Sequence, residues 1–514
     1  MAFFVAQNRV RQAAGALPRC GAVQKQGGNG VSMVDVTIIG CGVVGAAVAY
    51  ELAHYNLSTL VLEKENDVST GTTKANSAII HAGYDPEPDT LMARFNVEGN
   101  RLVKELCKKL DVPCKEIGSL VLAFTEEETK TVQALYERGL SNGVPDMQVL
   151  SGQQVLAIEP NLSKEVKGAL LAPTAAVLYP WELCLALAET AVKNGVQLRL
   201  NSPVTAISKI DGGFRITAGG QTVETRAIVN AAGVEAEQVN DMVAAHAFTT
   251  CPSRGEYYLM DKSQGAIVER VIFQCPNQDG KGVLVAPTVQ GNLIVGPNAE
   301  PVADGEDVAV TAQGLDFVRS KAAKSVPDIS YRDAIRNFAG VRAVTDQPDF
   351  IVSESKDAPG LINLAGIKSP GLTSAPAIAK EAVRLLQNAG LPLQQKPVFD
   401  DTRHRMRFRE MSSKERDELV SRNPAYGRVI CRCETVTEGE ILDTLHSPIP
   451  PVSVDGVKRR CNPGMGRCQG GFCGPRVLEI LARERGVDPQ TICQDKEGSE
   501  ILVGRTKQEG GAQA

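Results

Sequence analysis

The stretch that most constrains this chain is Val36 to Lys64, VTIIGCGVVGAAVAYELAHYNLSTLVLEK. Val36 to Ile39 is a β-branched run of strand type, and the turn Gly40-x-Gly42-x-x-Gly45 follows it directly. Ala46 to Leu52 continues as a small-residue helix. A second strand, Thr59 to Leu62, ends on Glu63, 23 residues after Gly40. Gly40 allows the tight turn, Gly42 lets backbone N–H groups approach a pyrophosphate, and Gly45 lets the helix pack closely on the sheet. The helix N-terminus then turns its partial positive charge toward the phosphates. Glu63 stands where a carboxylate hydrogen-bonds a ribose hydroxyl pair and repels a 2′-phosphate, which argues against NADP. Three glycines alone are a weak signal; strand, glycines, helix, strand and acid in register point strongly to an adenine dinucleotide. The fingerprint itself leaves FAD and NAD open.

The 514 residues allow roughly two to four domains. Hydrophobic content of 43% and charged content of 22% are those of a globular protein. The net charge of −5, with no basic run interleaved with aromatics, argues against a nucleic-acid partner. No apolar run approaches the ~18 residues that cross a bilayer. Of thirteen cysteines, five crowd between Cys431 and Cys473 and the rest are scattered singly. That pattern fits a reducing compartment with a metal site better than a disulfide framework.

Residues 1–33 hold Arg9, Arg11, Arg19 and Lys25 and no acid, and Phe3, Ala6, Val10, Ala13 and Leu17 recur at helical spacing. A basic amphipathic start of this kind reads as a transit peptide to a mitochondrion or a related organelle, the alternative being a disordered extension on a cytoplasmic protein. The loop GTTKANSAIIHAGYDPEPDTLMARFNVEGNRL, Gly71 to Leu102, begins small and polar and becomes helical from Leu91. A turn at Pro180 precedes an amphipathic helix to Ala191. Strands are expected at 196–200 and 203–210, a hairpin at 213–225, and a strand ending in a small-residue turn at 227–233. Residues 251–297 are β-rich, 335–342 read IRNFAGVR, and 361–376 read LINLAGIKSPGLTSAP, a strand, a glycine turn and a helix. Residues 391–427 are expected to be a linker, 428–485 a compact cysteine-rich module, and 486–514 a tail, polar and loose from Asp495.

Four separated motifs now line up: Gly40 to Glu63, NAAG at Asn230 to Gly233, FAGVR at Phe338 to Arg342, and GIKSPGLTSAP at Gly366 to Pro376. In that order they resemble the FAD-dependent oxidoreductases of the D-amino-acid oxidase and glycerol-3-phosphate dehydrogenase type, over about residues 34–390. The resemblance implies FAD, and an α/β fold: a Rossmann-type FAD-binding domain with a β-rich substrate domain inserted at about 245–334. It sets FAD against Gly40, Gly42, Gly45, Glu63, Lys64, Thr72, Asn76, Ser77, Val204, Ala232, Gly233, Gly366, Gly371, Leu372 and Thr373. Within the family, the loop from Gly71 resembles L-2-hydroxyglutarate dehydrogenases, while the C-terminal module resembles the large subunit of anaerobic glycerol-3-phosphate dehydrogenase.

In that module Cys431-x-Cys433 and Cys468-x4-Cys473 are 35 residues apart, which resembles the bacterioferritin-associated-ferredoxin type of [2Fe–2S] domain, a small α module. Four thiolates supply the charge that two ferric ions need. Gly464, Gly466, Gly470, Gly471 and Gly474 let the backbone wrap closely, Thr437 and Glu440 form a capping box, and Pro475 suits a first helical turn. Cys461 is expected to be a bystander. Structural zinc is the competing reading, although zinc usually takes C-x₂₋₄-C pairs.

Oxidising a secondary alcohol needs a hydride acceptor and a base for the hydroxyl proton. His81, one of five histidines, is the candidate base. Arg342 matches the family's position for the substrate anion, where a guanidinium pairs with carboxylate or phosphate; Arg254 and Lys368 are further candidate anion contacts. Tyr257 and Tyr258 read as sheet or core aromatics. A flavin beside a cluster suits a dehydrogenase that takes two electrons and passes them on singly. The expected reaction is sn-glycerol 3-phosphate to dihydroxyacetone phosphate, with electrons going to a quinone or partner subunit and the chain at most peripheral to a membrane. The alternatives are an L-2-hydroxyglutarate dehydrogenase, an amino-acid dehydrogenase, or an electron-relay subunit.

Overall fold

The computed structural model describes residues 33–276 and 282–504; the expected leader, up to Ser32, lies outside the described residues. Strand β1 (Val34–Ile39) pairs in parallel with β2 (Thr59–Leu62) on one side and with Gln221–Asn230 on the other. The parallel order extends to Gln197–Arg199 beyond β2 and to Leu361–Ala365 beside Gln221–Asn230. Strands covered on both faces are mostly apolar, as TLVL and LINLA are, with the buried Asn363 satisfied by Asn230 and Asn240. Helix α1 (Val43–Leu52) packs with Pro180–Lys193, Leu91–Lys109 and Gly371–Asn388 around one core that includes Val48, Leu187, Phe95 and Ile378. Pro180 sits in the first turn of its helix, but that helix is buried almost all round, not amphipathic as expected.

The second sheet has nine strands. Ser253–Met260 pairs with Ala334–Arg342, and Val271–Gln274 pairs in parallel with Ser119–Ala123, which leads on to Gly168–Ala172 and Gln148–Ser151. The insertion expected at 245–334 is therefore only part of this layer: residues 119–172 and the strand carrying FAGVR complete it. Side chains alternate across it with period two. Ser253, Gly255, Tyr257 and Leu259 are in register with Arg342, Gly340, Phe338 and Arg336. One face of the sheet packs on helix Ala312–Ser325; the other turns toward the first sheet.

Residues 391–427 are not a linker. Arg403, Arg405, Arg407 and Arg409 alternate along a strap laid over the buried acids of the first layer. Arg405 and Arg407 both reach Glu182 at 2.9 Å, Arg407 also binds Asp111 at 2.7 Å, Arg403 binds Glu189 at 3.1 Å, and Arg409 binds Glu434 of the C-terminal module at 2.8 Å. The tail is not loose at its start either, since Asp495 pairs with Lys74 at 2.7 Å and Arg459 at 2.9 Å.

The C-terminal module has its own apolar core around Val457, Ile441 and Leu481. Its helix Val454–Cys461 is fastened to the first layer by Asp67, which receives Arg459 at 2.9 Å and Arg460 at 2.8 Å on both oxygens, all three side chains being buried. Burial pushes the Asp67 carboxyl up, and the Arg460 and Arg459 guanidiniums together more than reverse it, so its pKa lies below the usual carboxylate range. Among the described residues, no helix is long and apolar enough to cross a membrane.

Removing one partner of a buried ion pair strands the other charges, at a cost of about 3–5 kcal/mol. Asp67→Asn is expected to lower stability by that order in chemical denaturation. With a folded pKa below the unfolded value of ~3.9, the wild-type contribution is whole above about pH 4 and fades as pH falls through the folded value. Asp67→Asn should therefore flatten the acid limb of the pH–stability curve.

Candidate active site

One cavity of about 1360 Å³ runs between the two sheets and reaches the C-terminal module. Ligand sites usually occupy ~300–1000 Å³, so this one has room for a dinucleotide and a small substrate together.

Its first wall is the glycine turn. Gly40 has φ +96°, and a Cβ there would lie 2.5 Å from the Ala231 carbonyl oxygen; one on Gly45 would lie 2.0 Å from the Gly40 carbonyl oxygen. Gly45 thus works behind the wall, in packing. Gly42 borders the cavity, and a Cβ there would have only Thr73 Oγ1, at 3.3 Å, within 4 Å. The first turn of α1 has no capping side chain of its own. Together these make a cradle that a diphosphate fits. Glu63 is buried at the end of β2, where its carboxylate accepts the Cys41 N–H at 2.7 Å and the Glu65 N–H at 3.0 Å; burial pushes its pKa up. Lys64 binds Glu235 and Glu306 at 2.7 and 2.6 Å, a surface pair at the rim.

The loop after Gly71 forms the next wall. Asn76 donates to the carbonyls of Thr73 at 2.9 Å and Thr72 at 3.2 Å and accepts the Ala78 N–H at 2.8 Å, while Thr72 Oγ1 donates to the Val341 carbonyl at 2.6 Å. Ser77 Oγ is 3.3 Å from the Tyr257 hydroxyl, and the Tyr257 ring stacks on Phe338 at 4.8 Å. Val204, Ala232, Gly233, Gly366, Gly371 and Leu372 line the same cavity. Thr373 does not; its hydroxyl accepts the His81 backbone N–H at 2.9 Å from behind.

His81 is pinned through its backbone. Asn96 and Asn100, one turn apart on helix Leu91–Lys109, donate to its carbonyl at 2.8 and 3.0 Å. Its ring projects into the cavity, Nε2 lying 3.2 Å from Ser369 Oγ and the ring stacking on Phe273 at 5.8 Å. Sequence reasoning found His81 but missed Asn96 and Asn100, whose i, i+4 spacing was legible.

The expected anion contacts separate. Arg342 lies in the cavity wall and, among the described residues, donates to neutral oxygens: the Asn298 carbonyl at 3.0 Å, the Ser253 hydroxyl at 3.4 Å and the Ser253 carbonyl at 3.5 Å. Arg254 does not belong with it. One residue out of phase with Ser253 and Gly255, it is buried against Asp307 at 2.6 Å and Glu256 at 3.6 Å, so its charge is already matched. Lys368 lines the cavity beside Ser369.

The far wall comes from the C-terminal module through Glu434, Lys458, Met465 and Gln469. Lys458 is largely buried there, and burial pulls its pKa down to about 8 against a distant Asp455 at 3.8 Å. Behind this wall the thiols converge: Cys431 and Cys433 Sγ are 3.8 Å apart, Cys433 and Cys468 Sγ 3.9 Å, and Cys473 hydrogen-bonds Cys431. Backbone N–H groups of Gly470 and Phe472 point at Cys468, and those of Gly464 and Glu434 at Cys431. Four sulfurs within one cluster's span, ringed by N–H donors, fit an anionic iron–sulfur centre. Cys461 is buried apart from them, its thiol on the Val457 carbonyl.

The chain matches the family described as FAD dependent oxidoreductase over residues 35–385 and the BFD-like [2Fe-2S] binding domain over residues 429–483. It is 50% identical to a glycerol 3-phosphate dehydrogenase of Caloramator mitchellensis over 478 residues, 93% of this chain and 100% of that protein. It is 27% identical to the mitochondrial L-2-hydroxyglutarate dehydrogenase of Arabidopsis thaliana over 398 residues, 68% of this chain and 82% of that protein. The fold matches the FAD-bound L-alpha-glycerophosphate oxidase of Mycoplasma pneumoniae with a TM-score of 0.68 and 33% identity, covering 73% of this chain and 99% of that one.

Gly42→Val should fill the cradle and give folded protein without the ~450 nm flavin band once iron is chelated; a variant with stoichiometric FAD would refute the cradle. Serine at Cys431, Cys433, Cys468 or Cys473 should each abolish iron and acid-labile sulfide, and Cys461→Ser should spare both.

Proposed function

The chain belongs to the FAD dependent oxidoreductase family and carries a BFD-like [2Fe-2S] binding domain, and on that premise we propose that it is a dehydrogenase converting sn-glycerol 3-phosphate to dihydroxyacetone phosphate. The observation that carries this reading is the 50% identity to a glycerol 3-phosphate dehydrogenase across both domains. When bound, FAD accepts the carbon-bound hydrogen with its electron pair, and the [2Fe–2S] centre passes electrons onward singly.

The chain's own side chains do the rest. Arg342 receives the substrate phosphate, since its present partners are neutral oxygens that leave the positive charge unmatched. Lys368 lines the same cavity and adds a second positive charge to it. His81 takes the hydroxyl proton at Nε2, where the substrate hydroxyl replaces Ser369 Oγ as partner; the clamped backbone holds the residue at the cavity. Tyr257 and Phe338 form a flat apolar floor that excludes water beside the anion site. Because Glu434, Met465 and Gln469 close the cavity, electrons leave toward the module and from there to an external acceptor.

A substrate panel with an artificial dye acceptor tests this. Glycerol 3-phosphate should turn over at least ~10²-fold faster than L-2-hydroxyglutarate or amino acids, and preference for L-2-hydroxyglutarate would overturn the assignment. Arg342→Lys keeps the charge but loses the fork. Its affinity for substrate should fall by ~1.5–3 kcal/mol, roughly ten- to a hundredfold, with FAD content intact. His81→Asn should instead keep binding and slow flavin bleaching by ~10² or more under anaerobic stopped flow.

A further inference from the structure

The two segments that carry the cluster cysteines differ from the rest of the surface. Residues 428–433 and 461–476 hold Arg428, Arg432, Arg467 and Arg476 and no acid, in a chain of net charge −5. Arg432 is exposed, and the side chains of Arg467, Arg476 and Arg428 are 73, 68 and 65% exposed. The carboxylate partners of Arg467 and Arg428, Asp261 and Glu438, are nearly buried, so these two arginines present positive charge outward, while Arg476 pairs with an exposed Glu479.

Among these arginines, Phe472 is 85% exposed. It belongs to the loop between Cys468 and Cys473, where Gly470, at φ +90°, allows the turn. The thiols are graded beneath it: Cys431 and Cys473 are 1 and 2% exposed, Cys468 is partly exposed, and Cys433 is open to solvent. The outer pair, Cys433 and Cys468, thus brings one edge of the cluster site to the surface, on segments that carry four arginines and one exposed aromatic.

We propose that this face docks a small acidic one-electron carrier protein, its carboxylates meeting Arg432, Arg467 and Arg476 and an apolar patch receiving Phe472. Opposite charges steer the encounter, and one aromatic anchor in a small contact suits a complex that must form and part at every transfer. The inference rests on the reading above that electrons leave through the cluster. Each alcohol oxidised to a ketone releases two electrons and two protons: the protons pass to solvent, and two oxidised carrier molecules each take one electron.

The test uses the holoenzyme with acidic cytochrome b5 and basic cytochrome c as one-electron probes, and quinone in phosphatidylcholine vesicles as the membrane alternative. Reduction of cytochrome b5 should slow about tenfold or more as salt rises from low to ~0.3 M, while that of cytochrome c should stay level or speed up. Arg432→Glu and Phe472→Ala should each slow cytochrome b5 about tenfold, with glycerol 3-phosphate-to-dye turnover and the cluster's EPR signal unchanged. If a ligand-loop variant loses the cluster, Arg476→Glu, on the following helix, gives the same reading. Salt-insensitive cytochrome b5 reduction, indifference to all three substitutions, or faster turnover with quinone vesicles would overturn the proposal. Failure of glycerol 3-phosphate to reduce the dye would instead refute the substrate reading, and dithionite-reduced enzyme then reports on docking without it.

Discussion

The buried charge of Asp67 decides how the two redox modules sit together. A lone carboxylate at that depth would be costly, and so would either arginine; the three are stable only as a set. Asp67 follows Glu63 by one short loop, and Arg459 and Arg460 are next to Lys458, which lines the active cavity. One electrostatic knot therefore fixes the end of β2 relative to the wall supplied by the C-terminal module. Arg459 extends the knot to Asp495 and so to Lys74; burial raises the Asp495 pKa, and Lys74 and Arg459 bring it down to about 2. The arginine strap makes a second tie from Glu182 across to Glu434.

Charge matching also separates the site's arginines by role. Arg254 and Arg342 lie one register position apart at the same end of two antiparallel strands, and sequence alone gives each a plausible anion. Strand alternation sends them to opposite faces of the sheet, where Arg254 meets Asp307 and Glu256 and Arg342 meets carbonyl and hydroxyl oxygens. A guanidinium already balanced by carboxylates has little to gain from a phosphate; one held only by neutral oxygens has a great deal.

The parts of the fold legible in sequence were those written in short-range chemistry. The glycine turn, the acid closing β2, the hairpin at 213–225 and the cysteine spacing each need a particular residue at a particular place. The second sheet was legible only in part, because Ser119–Ala123 joins it by pairing with Val271–Gln274, far along the chain, and Gly168–Ala172 then adds to Ser119–Ala123, contacts that no local pattern encodes. The strap was legible and misread. Arg403, Arg405, Arg407 and Arg409 repeat every second residue, which is the period of an extended segment with one face against a surface, but a composition rich in Pro, Gln, Arg and Glu suggested a linker. Tyr257 was read as a core aromatic, and it is buried; what the sequence did not convey is that its hydroxyl reaches Ser77 in the cavity wall.

The position of Glu434 shows how the module handles charge beside its cluster. An oxidised four-thiolate centre is already anionic, and reduction adds a further negative charge, so a neighbouring carboxylate opposes electron entry. Glu434 is next to Cys433 in sequence, and a Cβ on Gly466 would touch both Cys433 Sγ, at 2.5 Å, and Glu434 Oε1, at 3.0 Å. The carboxylate is not left bare: Lys262 reaches both its oxygens at 2.8 and 2.9 Å, and Arg409 reaches one at 2.8 Å. Two cations meet this one anion, so the acid beside Cys433 is not an unmatched negative charge. Because Lys262 follows a strand of the second sheet and Arg409 comes from the strap, that matching exists only when the module is docked. The charge matching beside Cys433 and the cavity wall that Glu434 supplies thus depend on the same contacts.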